Sequence, residues 1–238
     1  MSKPLLYPIG KSDACRHAVQ LLQCSGIPII RHPSPEVTHL LLDIRPGEDR
    51  NLSYTLSMLP PSITVIGGNL QLPEYRVWDF LKDEGYLARN AAITAHCALK
   101  LALQQLQTTL PDTKVLILGW GRIGKCLGKL LKDLSCPVTV YARKEADRAM
   151  LCALGYSTQS TCFPAGFDLI FNTIPASIVP EEALLPCPDL IKIDLASTPG
   201  IPGNPGISAR GLPGKLAPVS SGRLIANTVL QYIKEETP

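Results

Sequence analysis

Residues 114–142 read KVLIL-GWGRIG-KCLGKLLKDLSCP-VTVYA, and the order of these pieces decides the architecture. The aliphatic run at 115–118 has the length of a strand. Glycines at 119, 121 and 124 follow it at once. The next stretch, to residue 134, places Ile123, Leu127, Leu130, Leu131 and Leu134 on one helical face and Lys125, Lys129 and Lys132 on the other. A second aliphatic run at 138–142 completes a strand–helix–strand unit of about 30 residues. In this setting the spacing G-x-G-x-x-G carries chemistry. Gly119 permits the tight turn, Gly121 lets the backbone approach a pyrophosphate, and Gly124 lets the helix lie close to the sheet. The helix amino terminus then offers unpaired N–H groups to phosphate. Residues 119–124, which are Gly119, Trp120, Gly121, Arg122, Ile123 and Gly124, are therefore expected to hold a dinucleotide.

The end of the second strand refines that expectation. A site for NAD carries Asp or Glu there, bonded to the ribose hydroxyls. Here the chain reads Ala142, Arg143, Lys144, with two cations where a 2′-phosphate would lie and a planar guanidinium suited to bidentate contact. NADP is the expected cofactor and NAD the alternative, since Glu145 or Asp147 also lies within reach of the turn. Further strands are read at 168–173 and 190–195. They end at Asn172, Thr173, Ile174, Pro175 and at Asp194, Leu195, Ala196, Ser197. Ligands bind beyond the carboxyl ends of parallel strands, so these turns should face the glycine turn. Ile174 and Pro175 offer an apolar wall, and Asp194 and Ser197 offer polar groups near a reacting carbon. Asp194 is also a residue type that often caps a turn.

Working outward, residues 1–88 alternate strand-sized runs (5–7, 27–30, 39–44, 63–67) with a helix at 13–24, the pattern of a smaller α/β domain. Helices are expected at 75–87 and 90–107, and 89–110 reads as a linking helix. Residues 111–218 form the dinucleotide domain. Residues 219–238 form a closing helix that returns across the domain boundary. The segments 199–206 and 211–214 are so rich in proline and glycine that they read as loops around something short. The fold class is α/β: a Rossmann doubly wound parallel sheet with a second, smaller amino-terminal α/β domain.

Composition narrows the field further. With 238 residues, 45% hydrophobic and 18% charged, the chain has material for a sizeable core and is not a disordered polyelectrolyte. The net charge of +3, with no run of like charges, does not point to nucleic acid or to an acidic membrane. Apolar runs are of strand length, so no membrane partner is expected and the protein reads as cytoplasmic. Eight cysteines, no two closer than nine residues, lack any metal or dithiol spacing and are expected to be reduced, buried hydrophobes. No metal site is expected.

The motifs RNAAITA at 89–95, GWGRIG at 119–124, NTIPA at 172–176, DLAS-x-PG at 194–200, GLPGK-x-AP at 211–218 and SSGRLIANTV at 220–229 together resemble the family of the first of the two dipicolinate synthase subunits, over roughly residues 75–234. The resemblance implies a two-domain NAD(P)-dependent dehydrogenase. It implies oxidation of a dihydrodipicolinate-type cyclic dicarboxylate to the spore metabolite dipicolinate, with a flavoprotein-like second subunit for a partner. Such chemistry removes a hydride and a proton, so cations for two carboxylates and a base are sought. Arg210, Lys215 and Arg223 are the cation candidates. Thr94 and His96, on the linking helix, are expected on the substrate side, with His96 as a base beside Asp194 and Ser197. A homo-oligomer is expected, as is common for such enzymes. Two other readings stay open: a non-catalytic dinucleotide-binding or subunit-interaction protein, favoured by an amino-terminal part shorter than the family's, and a shikimate-dehydrogenase-like enzyme.

Overall fold

The computed structural model describes residues 4–44, 52–202, 207–208 and 211–236. The chain divides into two compact units, Met1–Asn90 with Pro213–Pro238, and Ala91–Leu212.

The first unit is built on β1 (Leu6–Pro8), α1 (Asp13–Cys24), β2 (His39–Leu41), α2 (Leu52–Ser57), β3 (Thr64–Gly67) and β4 (Arg76–Asp79). Its four strands are parallel in the order β1-β2-β3-β4. Leu40, Leu42, Ile63 and Val65 pack with Val37, Leu56 and Leu59 into its core. The segment read as a strand at 27–30 contributes a single bridge, Leu6 to Ile29.

Residues 75–87 depart from the expected helix. Val77 and Trp78 extend along β3, and Asp79 then accepts hydrogen bonds from the N–H groups of Asn69, Leu70 and Leu81 at 3.0, 3.1 and 2.8 Å. Apolar residues at 75, 77, 78, 80 and 81 fit both periods. The β-branched and aromatic pair at 77–78, with a neighbouring strand to join, resolves the ambiguity toward strand. Asp83 accepts from Tyr86 N at 2.8 Å. One helix, α3 (Glu84–Gln105), then replaces the two expected ones and carries the chain into the second unit.

The second unit contains β5 (Val115–Leu118), α4 (Arg122–Asp133), β6 (Val138–Tyr141), α5 (Glu145–Ala153), β7 (Ser157–Gln159), β8 (Leu169–Asn172), β9 (Ile191–Asp194) and β10 (Ile207–Ser208). All are parallel, in the order β10-β9-β8-β5-β6-β7. The direction of winding reverses between β5 and β8, the place where doubly wound sheets bind ligands. β5 and β8 are buried along their whole length, as central strands covered on both faces must be.

Two more helices follow, α6 (Leu212–Leu216) and α7 (Pro218–Glu236). α6 corrects the reading of 211–214 as loop. Pro213 sits in its first turn, where the missing N–H costs nothing. α7 packs against α1, and Gly222 is the point of closest approach: a Cβ there would lie 2.6 Å from His17 Cβ and 2.7 Å from the Ala14 carbonyl oxygen. Among the described residues no helix is long and apolar enough to cross a membrane. All eight cysteines are free, but only Cys15, Cys97 and Cys136 are buried; Cys126, Cys162 and Cys187 are half-buried, and Cys24 and Cys152 are exposed.

Candidate functional site

The registers of the second sheet align Tyr141, Leu118, Asn172 and Asp194 side by side as the last residues of β6, β5, β8 and β9. The turns that follow them form one edge, and hydrogen bonds knit it together. Gly119 N donates to Tyr141 O at 3.0 Å, Thr173 N to Leu118 O at 2.9 Å, and Leu195 N to Asn172 O at 2.8 Å. The Thr173 hydroxyl adds a second bond to Leu118 O at 2.8 Å.

Each glycine of the 119–124 turn has a separate reason to be glycine. Gly119 holds φ +102°, and a Cβ there would lie 2.6 Å from Thr173 Oγ1. A Cβ on Gly124 would lie 2.3 Å from the Gly119 carbonyl oxygen, which is backbone and cannot yield. Gly121 is the contrary case. It begins α4 with extended φ and ψ, makes no side-chain cap, and has nothing within 4 Å of a Cβ position. A side chain at Gly121 would meet nothing, so the start of α4 leaves room for a pyrophosphate.

Asn172 is fully buried and holds the next turn. Its Nδ2 donates to Ile174 O and to Asp194 Oδ1, both at 3.0 Å, and its Oδ1 accepts from Ile174 N at 3.0 Å. Asp194, expected as a catalytic group, has a different occupation. Its Oδ1 accepts from Asn172 and from Ala196 N at 3.0 Å, and its Oδ2 accepts from Gly200 N at 2.7 Å and Ile201 N at 3.1 Å. Four donors fill the lone pairs a carboxylate offers, and the side chain is buried. Asp194 builds the 194–201 turn and has no capacity left for substrate. Gly200 closes the same turn, since a Cβ there would meet Ala176 O and Asn172 Nδ2 at 2.5 Å.

Other candidates divide. Ala142 is buried, while Arg143 and Lys144 are exposed on the turn after β6. Ile174 is half-buried, and Pro175 and Ser197 are exposed, at the ends of β8 and β9. Arg122 and Ile123 open α4, with Arg122 exposed and Ile123 half-buried. The Trp120 side chain turns onto α4, stacking edge-on with Tyr156 at 5.3 Å between centroids, and a Cβ on Gly128 would lie 3.1 Å from it. Thr94 is buried in α3 and His96 is exposed on the same helix. Lys215 is exposed on α6 and falls with the first unit, not with the dinucleotide domain as expected. Arg223 is exposed on α7. Arg210 lies outside the described residues. Among the described residues no cluster of His, Cys, Asp and Glu has metal-binding geometry.

Two residues that shape this edge were not singled out in the sequence. Arg148, in α5, donates from Nη1 to Ala142 O at 2.8 Å and to Arg143 O at 2.9 Å. Its only signal was its distance from the turn, which reads as an ordinary surface cation. Gly200 lay inside the DLAS-x-PG motif, but its close packing is a tertiary property.

The chain resembles the first subunit of dipicolinate synthase. It is 29% identical to that protein of Bacillus subtilis (strain 168) over 159 residues, 61% of this chain. The match spans about half, 54%, of that relative's length. The crystal structure of the same dipicolinate synthase subunit from Bacillus halodurans superposes with a TM-score of 0.81 at 20% identity, covering 98% of each chain. A D-lactate dehydrogenase of Salmonella superposes with a TM-score of 0.64 at 11% identity, covering 99% of this chain and 97% of the other. At such identities the two superpositions establish the fold alone, a doubly wound parallel α/β fold. No family model matches the chain.

Proposed function

We propose that the chain is an NADP-dependent dehydrogenase that oxidises a small cyclic dicarboxylate of the dihydrodipicolinate type. The open cradle at Gly121, followed by Arg143 and Lys144 in place of a carboxylate after β6, carries this reading. Gly119, Gly121 and the first turn of α4 would hold the pyrophosphate, and Arg143 and Lys144 the 2′-phosphate. Asn172 and Asp194 fix the Thr173–Ile174 backbone, so that Ile174 and Pro175 present an apolar wall to the nicotinamide ring. Bound there, the nicotinamide supplies the hydride acceptor.

The substrate follows from the likeness to dipicolinate synthase and from the motifs shared with it. Aromatisation of a dihydropyridine-type ring removes one hydride and one proton, and two ring carboxylates need cations. Lys215, Arg210 and Arg223 are assigned to the carboxylates. His96 is assigned as proton acceptor, and Thr94 and Ser197 as polar contacts. Asp194 is excluded from proton transfer by its four bonds. The relative is named as one subunit of its synthase, which supports a second polypeptide, flavoprotein-like, as partner.

Titration of the purified protein with NADPH and NADH tests the reading, followed by a dihydrodipicolinate oxidation assay with and without a candidate second subunit. Tight NADPH binding with turnover is expected. Binding without turnover in both assays would return the protein to the class of non-catalytic dinucleotide-binding subunits. Arg143→Ala should weaken NADPH by about tenfold or more and leave NADH nearly unchanged, as expected for losing one phosphate-bound guanidinium; equal loss for both would overturn the NADP assignment.

A further inference from the structure

We propose that Arg148 is a positioning residue that sets the cofactor preference of the turn between β6 and α5, an inference that rests on reading the second unit as an NADP site. Arg143 and Lys144 lie exposed on that turn, but the Arg148 side chain is only 22% exposed and points inward. Its Nη1 bridges the carbonyl oxygens of Ala142 and Arg143. Its Nε donates to Glu145 Oε2 at 3.0 Å, and its Nη2 bonds the same oxygen.

Four of the five N–H groups of a guanidinium are thereby used. Arg148 is not itself a free ligand for phosphate; it acts through what it holds. One effect is on the backbone. With both carbonyls tied to a single planar group, the departure points of the Arg143 and Lys144 side chains are fixed before any phosphate arrives. A pre-formed site loses less entropy on binding.

The other effect is on charge. Glu145 is the first carboxylate after β6, beyond the strand end where an NAD site carries its acid, but close enough to the turn to repel a 2′-phosphate. The doubly bonded contact to Arg148 compensates that charge and turns it along α5. An i,i+3 Glu–Arg pair is a common surface feature of helices and by itself says little. The two additional carbonyl bonds, made by the same guanidinium to the residues that begin the turn, distinguish this one.

The test is the ratio of dissociation constants for NADH and NADPH, measured by calorimetry on the wild type and on Arg148→Ala, Glu145→Gln, the double variant and Arg148→Lys. The wild type should favour NADPH. Arg148→Ala should narrow the ratio by about tenfold, the scale of one uncompensated charge near a phosphate at the protein surface. Glu145→Gln, at a side chain already neutralised, should move the ratio by no more than about twofold. In the double variant the ratio should recover by roughly threefold, since the repulsion is gone and only the backbone anchoring is missing. Arg148→Lys keeps the charge but cannot span three acceptors, so it should fall between wild type and Arg148→Ala; it stands in if the alanine variant fails to fold by circular dichroism. Equal weakening of both cofactors in Arg148→Ala or Arg148→Lys, with a wild type that favours NADPH, would reduce Arg148 to a structural residue and overturn the inference alone. A wild type that binds NADH as well as NADPH would overturn the underlying reading first.

Discussion

Each sheet begins, in chain order, with a strand, a short glycine-containing turn and a helix, yet a side chain of the chain itself fills only one of the two turns. In the first unit the turn after β1 reads Gly10, Lys11, Ser12. The Asp43 carboxylate, from beyond β2, accepts from Lys11 N at 2.7 Å, from Ser12 N at 3.2 Å and from the Ser12 hydroxyl, while Ser12 Oγ accepts from Cys15 N at 3.1 Å. A Cβ on Gly10 would lie 2.5 Å from the Cys15 sulfur and 3.0 Å from Asp43 Oδ1, so the space is filled. Burial, with Asp43 adding to it, pushes the Cys15 thiol up to about 12, and it remains a neutral packing group. In the second unit Gly121 caps α4 with no side chain, and a Cβ there would have nothing within 4 Å. A helix amino terminus attracts an anion in both places. The first unit supplies the anion from its own chain; the second leaves the position for a ligand.

Closing the open turn should have the largest effect. Gly121→Asp places a carboxylate at the start of α4, in a backbone conformation that any residue adopts, and imitates the first unit. NADPH affinity should fall by about a hundredfold as the acid competes with and repels phosphate, while an acidic cap in place of glycine raises stability by about 0.3 kcal/mol. Calorimetry and urea unfolding measure the two halves; retained affinity would show that the cradle is not the phosphate site.

Opening the closed turn comes next. Asp43→Ala leaves donors of Lys11 and Ser12 without their acceptor and should cost about 1 to 3 kcal/mol in urea unfolding. The NADPH dissociation constant should not move. A stability loss below about 0.5 kcal/mol would mean that water replaces the carboxylate without penalty, and the contrast between the units would then lie in geometry alone.

The smallest effect is expected at the opposite, amino-terminal end of the first sheet, where a histidine meets a carboxylate of the same unit. His39 Nε2 lies 3.1 Å from Glu236 Oε2 at the end of α7, and Arg76 Nη1 lies 2.6 Å from the other carboxylate oxygen. Burial holds the His39 imidazole below its ordinary value of 6.5, although Glu236 pulls the other way. The unfolded chain therefore takes up this proton at higher pH than the folded one. The stability is fully present above 6.5 and is lost as the pH falls below it. The unfolding free energy should drop by on the order of 1 kcal/mol between about pH 7.5 and 5.5. His39→Gln should remove that portion of the slope; an unchanged slope would assign it to other groups.

Much of the turn geometry at the strand ends was legible because its requirements are local. A tight turn and a close helix each demand glycine at a fixed spacing, so Gly119 and Gly124 announce themselves, and Gly121 stands between them. Asp194 was legible as important and misread in role. The residue type fits both proton transfer and turn capping, and only the convergence of N–H groups from residues 196, 200 and 201 with the Asn172 amide decides between them. Trp78 was missed as a strand residue because its period is ambiguous over so short a run. Arg148 was missed because bonds to backbone carbonyls leave no trace in residue identity.

The sequence by itself determined that a parallel α/β unit with a glycine turn stands at 114–142, that cations follow its second strand, and that the motifs from 89 to 229 resemble those of dipicolinate synthase. Hydrophobic period and backbone freedom act over a few residues, and they are written in the order of the residues. The tertiary structure alone decided which of two similar turns is filled, what the Asp194 carboxylate holds, and how Arg148 compensates Glu145. Those depend on which donors and acceptors the fold brings within about 3 Å of one another, and hydrogen bonding that short is a property of positions in space.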